Sequence, residues 1–156
     1  MKMGMKWPLF HQSRADKVVL TEIVPAPIVP FPSDNTRREE GAELVFNGRV
    51  RGTEQGQDIL ALEYEHYEGM AEQELQSLAD ETMAKFLIQD LFCRHRVGRI
   101  TIGEASLHVA IWSQHRKEGL QAMTYFIREL KERVPIWKWA ILVSGERVPS
   151  ECVHRD

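Results

Sequence analysis

Hydrophobic and polar residues alternate in several stretches of this chain, and such alternation is typical of β-strands that bury one face. The stretch 43–51 (ELVFNGRVR) alternates, and so does the stretch 59–67 (ILALEYEHY). The residues between them, 52–58 (GTEQGQD), have the composition of a loop. We therefore predict that the two stretches form a long β-hairpin. Further strands are predicted at 17–24, 91–97, 106–112 and 136–143.

Two longer stretches carry apolar residues at helical spacing. The stripe of the first helix, 70–87, consists of Leu75, Leu78, Ala79, Met83, Phe86 and Leu87. The stripe of the second helix, 114–134, consists of Leu120, Met123, Ile127, Leu130 and Val134. Strands outnumber helices and follow one another in hairpins, so we predict an α+β fold with antiparallel β-hairpins and two long helices.

The length of the chain, 156 residues, favours one domain with a substantial core. We predict a loosely ordered N-terminal extension over residues 1–16, followed by a single domain over residues 17–156. Four prolines between residues 25 and 32 predict an extended connector, because proline fixes φ and lacks a backbone hydrogen-bond donor.

Composition and charge exclude several classes of function. Twenty Lys and Arg residues against 23 Asp and Glu give a net charge of −3, which argues against sequence-independent nucleic-acid binding. No stretch approaches 18 consecutive apolar residues, so we expect no membrane span. Cys93 and Cys152 match no metal or redox spacing, and the six histidines form no HxxxH or HExxH pair. We therefore expect no metal centre, and a reduced, cytoplasmic protein.

Two pairs of cationic residues could bind an anion. Arg49 and Arg51 share one face of a predicted strand; the alternative is the solvent face of an edge strand, where basic residues prevent aggregation. His115 and Arg116 follow Ser113, a candidate N-cap of the second helix. A helix N-terminus attracts phosphate or carboxylate groups. For this second pair, the alternative is a solvated helix start.

Two lysines lie near the end of the second helix. Lys131 borders the buried stripe of that helix, and Lys138 stands between Trp137 and Trp139 just beyond it. Arg128 and Arg133 are close to both lysines in sequence, so all four cations could converge on one site. The alternative for Lys131 is a lysine that extends from a packed helix into solvent. For the tryptophans, the alternative is a structural role in the core or an interface.

Four segments together resemble one family, the large, catalytic subunit of molybdopterin synthase. In chain order they are GAELVFNGRVRG (41–52), LEYEHYEGMAEQEL (62–75), HRVGRITIGEASLHVAIWSQHR (95–116) and LKERVPIWK (130–138). Each motif alone is weak. The ordered combination of FxGxVR, EHYxGM, SxHR and LKxRxPxWK is specific.

The resemblance implies an α/β hammerhead-type domain that forms a homodimer. It also implies two copies of a small ubiquitin-like sulfur-carrier subunit, which complete a heterotetramer. The carrier ends in Gly-Gly with a C-terminal thiocarboxylate, and this tail enters a pocket of the large subunit. The implied activity is that of a sulfurtransferase, which converts cyclic pyranopterin monophosphate to molybdopterin in molybdenum cofactor biosynthesis. No cofactor is implied.

The same resemblance assigns roles to residues. Lys131 and Lys138 would be catalytic. The substrate-binding residues would be Phe46, Arg49, Val50, Arg51, His115, Arg116, Lys131, Lys138, Trp139 and Ala140.

The sequence departs from the family pattern at Ala140, where the family usually has a glutamate two positions after the second lysine. Two hypotheses follow. In the first, the chain is an active synthase. In the second, it is a divergent, non-catalytic paralogue that binds the carrier or an anionic ligand without turnover, and an Ala140→Glu substitution would restore or increase activity. A general phosphate- or RNA-binding protein is a weaker third hypothesis.

The spacing of two site residues predicts an oligomer. Arg116 and Lys131 lie on one predicted helix, 15 residues apart. At 1.5 Å per residue the separation is about 22 Å, too far for both to hold one small pterin. We therefore predict a two-fold dimer in which His115 and Arg116 of one subunit complete the pocket that carries Lys131 and Lys138 of the other.

Overall fold

The computed structural model describes residues 16–150. The strands are β1 Val18–Val24, β2 Ala42–Arg49, β3 Thr53–Glu54, β4 Gln57–His66, β5 Asp90–Arg96, β6 Gly98–Thr101, β7 Ala105–Ser113, β8 Ile136–Leu142 and β9 Arg147–Ser150. The helices are α1 Met70–Lys85 and α2 Arg116–Arg133. The predicted α+β class with two long helices is confirmed. The predicted extension, apart from Asp16, lies outside the described residues, as does Cys152.

The strands form two sheets. The first sheet has the order β1-β5-β7-β2; β1 is parallel to β5, and the other neighbours are antiparallel. The second sheet has the order β3-β4-β8-β9, and β6 also pairs with β4. Strand β4 is therefore the centre of the second sheet, where it pairs with β3, β6 and β8.

The predicted long hairpin over 43–67 is wrong. Strand β2 pairs with β7 in the first sheet, whereas β4 pairs with β8 in the second. The register of β2 shifts between Gly48 and Arg49, and the next residue, Val50, forms backbone hydrogen bonds with the 103–104 turn. A bulge of this kind redirects a strand. Alternation predicted both strands correctly but could not show that they lie in different sheets.

Three short strands escaped prediction. Strand β3 lies in the stretch predicted as a loop, where it pairs with the start of β4. Strands β6 and β9 are four residues each, and β6 begins at Gly98, shortly after β5 ends at Arg96. Strands this short carry too few alternating positions for a reliable pattern.

The larger hydrophobic cluster lies between the first sheet and both helices. It includes Leu75, Leu78, Leu91, Phe126 and Leu130. Helix α2 approaches the sheet closely at Gly119, where an added Cβ would collide with Leu44 and lie 2.6 Å from Ser113 Oγ. Two residues of the predicted stripes are exposed instead of buried, Leu87 at 70% and Leu120 at 54%. Leu87 lies beyond the end of α1, and on α2 the buried side runs through Gly119, Ala122 and Phe126.

A smaller hydrophobic cluster belongs to the second sheet. Its buried members are Val50, Ile59, Leu62, Ile100 and Ala140. The chain leaves the larger cluster after Phe46 and enters the smaller one at Val50. Only a few residues therefore separate the two clusters along the chain.

The proline-rich connector contacts the face of the first sheet opposite the helices. Phe31 stacks on Phe92 and on His108, with ring centroids 5.1 and 5.6 Å apart. The His108 ring accepts a hydrogen bond from the Phe31 backbone N–H at Nε2 and donates one from Nδ1 to Asn47 Oδ1. His108 is thus a buried structural histidine with both nitrogens paired. Neither helix in residues 16–150 has the length and apolar character needed to cross a membrane.

Candidate functional site

A cleft of about 410 Å³ opens where the two hydrophobic clusters meet. Its apolar walls come from both clusters: Phe46, Leu107, Leu130 and Ile136 from the larger, and Leu62 and Tyr64 from the smaller. The polar and remaining lining residues are Gly48, Arg49, Arg51, Glu54, His95, Ser106, Lys131, Trp137, Lys138 and Ser150. A cleft of this volume can hold a small organic molecule.

Four cations line the cleft, and they come from three parts of the fold. Arg49 ends β2 and Arg51 lies just beyond it; the bulge brings both to the cleft, and Arg49 Nη1 donates to the Gly103 carbonyl at 2.8 Å. Lys131 comes from the last turn of α2, and Lys138 from β8. Such a concentration of positive charge on apolar walls fits an anionic ligand with a flat apolar part.

Arg128 and Arg133 do not join these cations. The Arg133 guanidinium forms an ion pair with Glu81 and lies 3.8 Å from Glu74, both on α1. The Arg128 guanidinium lies over the ring of Tyr125, 5.7 Å from its centroid. Both arginines point along other faces of α2, so the suggested convergence of four cations near Lys131 is wrong. Of Arg128, Arg133 and Lys138, only Lys138 lines the same cleft as Lys131.

His95 is a cleft residue that the sequence analysis missed. Its Nδ1 donates to the Arg96 carbonyl at 2.8 Å, and its ring meets Tyr64 edge to face at 5.4 Å. Burial lowers the pKa of His95 to about 4, so the ring is neutral near pH 7. Alternation with Leu91 and Cys93 on β5 was the available signal that His95 faces inward. Glu54, Tyr64 and Ser106 were also missed.

Five predicted binding residues do not line the cleft of their own chain, and three of them, Val50, Trp139 and Ala140, lie in or next to the second sheet. Val50 and Ala140 are buried in the smaller cluster, each 3% exposed. Trp139 lies next to Lys138 on β8, so its side chain points to the opposite face of the sheet, where the Arg147 guanidinium stacks on it at 4.0 Å. Trp137, in contrast, lines the cleft and donates from Nε1 to Glu65.

His115 and Arg116 lie at the other end of α2 from Lys131, and both are exposed. Neither lines the cleft of its own chain. The N-cap of α2 is His115 and not Ser113, because Ser113 is the last residue of β7 and its Oγ donates to the His115 carbonyl at 2.7 Å.

The thiol of Cys93 takes no part in the cleft. Cys93 is fully buried in the larger cluster, which raises the pKa of its thiol above the ordinary range. It is a small core residue.

Comparison with known proteins assigns the family. A model of the family described as MoaE protein matches residues 26–133. The chain belongs to the MoaE family. The molybdopterin synthase catalytic subunit of Thermoplasma volcanium is 40% identical over 109 residues, which cover 70% of this chain and 80% of that protein. Molybdopterin synthase of Staphylococcus aureus has the same fold, with a TM-score of 0.70 and 34% identity over 81% of this chain and 93% of that one.

A second similar structure contains two kinds of subunit. It is the complex of subunits 1 and 2 of molybdopterin-converting factor from Helicobacter pylori. The matched chain has a TM-score of 0.66 and 22% identity, and the match covers 86% of this MoaE-family chain and 92% of that chain.

Proposed function

We propose that this chain is the catalytic subunit of a molybdopterin synthase, a sulfurtransferase that converts cyclic pyranopterin monophosphate to molybdopterin. The observation that carries the proposal is the cleft, in which Arg49, Arg51, Lys131 and Lys138 meet on apolar walls in a chain of the MoaE family. Some of these cations would bind the phosphate, and the apolar walls would hold the pterin ring.

The proposed reaction transfers sulfur from the carrier to the pterin substrate. The carrier's thiocarboxylate sulfur displaces an oxygen from a carbon of the substrate side chain: the carbon–sulfur bond forms, the carbon–oxygen bond breaks, and the oxygen leaves as water or with the phosphate. Water then cleaves the resulting thioester, which leaves the sulfur on the product and a carboxylate on the carrier. Two carriers are needed, because the dithiolene product holds two sulfurs. Lys131 and Lys138 stabilise the negative charge that develops on oxygen during these steps. The protein supplies no sulfur, so a buried Cys93 is compatible with the reaction.

We propose a small ubiquitin-like carrier subunit as the partner of this chain. The similar fold from Helicobacter pylori is one subunit of a two-subunit complex, which supports an assembly of this kind. A reduced, unpaired Cys93 fits a cytoplasmic location for the heterotetramer.

We propose a homodimer because α2 separates the site residues. Arg116 begins α2 and Lys131 lies in its last turn, about 22 Å away at 1.5 Å per residue. Both can serve one substrate only if His115 and Arg116 come from the second subunit.

An in vitro conversion assay tests the activity. Purified chain, thiocarboxylated carrier and cyclic pyranopterin monophosphate should give molybdopterin. The Lys131→Ala variant should lose product formation by a factor of at least about 100, the size expected when a preorganised charge is removed. Arg128→Ala is the matched control, because Arg128 lies one turn earlier on α2 and does not line the cleft. An active Lys131→Ala variant would contradict the catalytic assignment.

A mixed dimer tests the shared site. An Arg116→Ala chain and a Lys131→Ala chain, each inactive alone, should form heterodimers in which one site has both residues. These heterodimers should recover about half of the wild-type activity per dimer, since the other site lacks both. Heterodimers that stay inactive would refute the shared site.

The non-catalytic alternative rests on Ala140. The cleft has its four cations with alanine buried at position 140, which supports the active synthase. The absence of product in the conversion assay, together with carrier binding, would restore this alternative.

A further inference from the structure

One carboxylate lies among the four cations of the cleft. Glu54 Oε1 is 3.6 Å from Lys138 Nζ, and the two side chains are 11% and 17% exposed. Within residues 16–150, Glu54 is the only acidic residue that lines the cleft and the only carboxylate within ion-pair distance of Lys138. A negative charge inside a site for an anion opposes ligand binding, so its presence requires another explanation.

The backbone fixes the position of Glu54. Strand β3 pairs with the start of β4 through a two-residue turn in which Gln55 and Gly56 have φ values of 50° and 79°. Two positive φ values are the signature of a type I′ turn, the tightest connection between antiparallel strands. Glu54 pairs with Gln57 directly beside this turn. Its side chain therefore projects from a rigid hairpin and not from a mobile loop.

The partner lysine is held by the same sheet. Lys138 lies opposite Tyr64 of β4, and Tyr64 also lines the cleft. The two charged residues thus approach each other from β3 and β8, which flank β4 on the two sides of the cleft. A flexible lysine side chain has many rotamers, and an ion pair of low exposure restricts them.

We propose that Glu54 is a positioning residue for the reaction proposed above: it holds the Lys138 ammonium group in the cleft and excludes phosphate from the Lys138 side. The phosphate of the substrate would then bind to Arg49, Arg51 and Lys131. Lys138 would remain free of phosphate and face the reacting carbon and the carrier terminus. The positioning of Lys138 for the reaction rests on the proposed function. The exclusion of phosphate from the Lys138 side depends only on the charges of this chain.

Inorganic phosphate binding tests the exclusion of anions without carrier or pterin. The Glu54→Gln variant keeps the size of the side chain and removes its charge. At low ionic strength its Kd for phosphate should fall about three- to tenfold, because a nearby like charge is gone and little salt screens the site. Asp58→Asn is the matched control: Asp58 pairs with Thr53 on the same hairpin, is exposed and does not line the cleft. This control should change the Kd by less than about twofold. An unchanged or weaker phosphate affinity in Glu54→Gln would overturn the proposal.

Steady-state kinetics of the complete synthase test the positioning role. Glu54→Gln should lower KM for the pterin substrate and lower kcat about tenfold, because the substrate binds more tightly while Lys138 is no longer held. Glu54→Asp should recover part of kcat. If Glu54 had a purely structural role, Glu54→Gln would lower stability without lowering KM and kcat together. A lower KM with unchanged kcat would refute the positioning role. If wild-type chain forms no molybdopterin, the proposed function fails, and the phosphate measurement still decides the exclusion of anions by Glu54.

Discussion

Replacing Ala140 by glutamate should destabilise the protein and not increase its activity. The family resemblance favours a carboxylate at residue 140, which made this substitution a candidate for restoring function. The packing predicts the opposite outcome, because Ala140 is 3% exposed and packs with Val50, Leu62 and Ile100. A glutamate there would place a carboxyl group among apolar side chains.

The size of the effect follows from the charge and the volume of the new side chain. A carboxylate in an apolar cluster avoids its desolvation cost by binding a proton. With an ordinary pKa of about 4.3, protonation at pH 7 costs about 3.7 kcal/mol, which limits the electrostatic penalty. The larger side chain adds about 1–3 kcal/mol of overpacking. Together these terms approach the whole stability of a typical domain, about 5–15 kcal/mol.

Denaturant unfolding between pH 4 and pH 8 measures this penalty. A buried carboxyl has a raised pKa in the folded chain, so near pH 4 the deficit of Ala140→Glu should shrink to the overpacking part, about 1–3 kcal/mol, and it should grow as the pH rises. Val143→Glu is the control, because Val143 is 64% exposed just beyond β8. Wild-type stability of Ala140→Glu at pH 7 would refute the reasoning. It would mean that Lys138 turns away from Glu54 to pair with residue 140.

Two further substitutions test the packing of α2 and the charge state of the cleft. Gly119→Ala should lower stability by about 1–2 kcal/mol, because the clash of the new methyl group with Leu44 outweighs the gain in helix propensity. Thermal unfolding measures this loss, and Gln121→Ala at an exposed position of α2 is the control. A Tm above that of the wild type would contradict the prediction. His95 has a pKa of about 4 when folded against 6.5 ordinarily, so below pH 6.5 the unfolded chain binds the proton more readily. Stability should therefore fall by up to about 3 kcal/mol from pH 6.5 to pH 4. His95→Gln should flatten this slope in urea titrations, and equal slopes would exclude His95 as the cause.

The sequence alone was sufficient for the longer elements and for the four cations of the cleft. Alternation and helical spacing locate β2, β4 and the two helices, because local periodicity reports which residues are buried. Four of the predicted residues with polar side chains, Arg49, Arg51, Lys131 and Lys138, line one cleft, and Phe46 forms part of its wall.

The sequence could not predict which strands pair with each other, or which acidic residue lies next to Lys138. Strand β2 satisfies its pattern equally well against β4 or β7, and the choice depends on contacts between residues far apart in sequence. Glu54 gave no signal, because it lies in a stretch with the composition of a loop and meets Lys138 only after β3, β4 and β8 have paired. Val50 and Ala140 follow family motifs but are buried in the smaller cluster, and the side chain of Trp139 lies on the opposite face of β8 from Lys138.

The FxGxVR segment shows why the cleft forms where it does. Phe46 packs against the larger cluster and Val50 is buried in the smaller one, so the segment joins the two clusters. Gly48 leaves room for the Phe46 ring, since an added Cβ would lie 3.4 Å from Phe46 Cε1. The bulge after Gly48 then lets Arg49 and Arg51 flank a buried Val50 and reach the space between the clusters. The burial of Val50 therefore sets the position of the two arginines. Val50 does not line the cleft, but it belongs to the FxGxVR motif because it places the arginines that do.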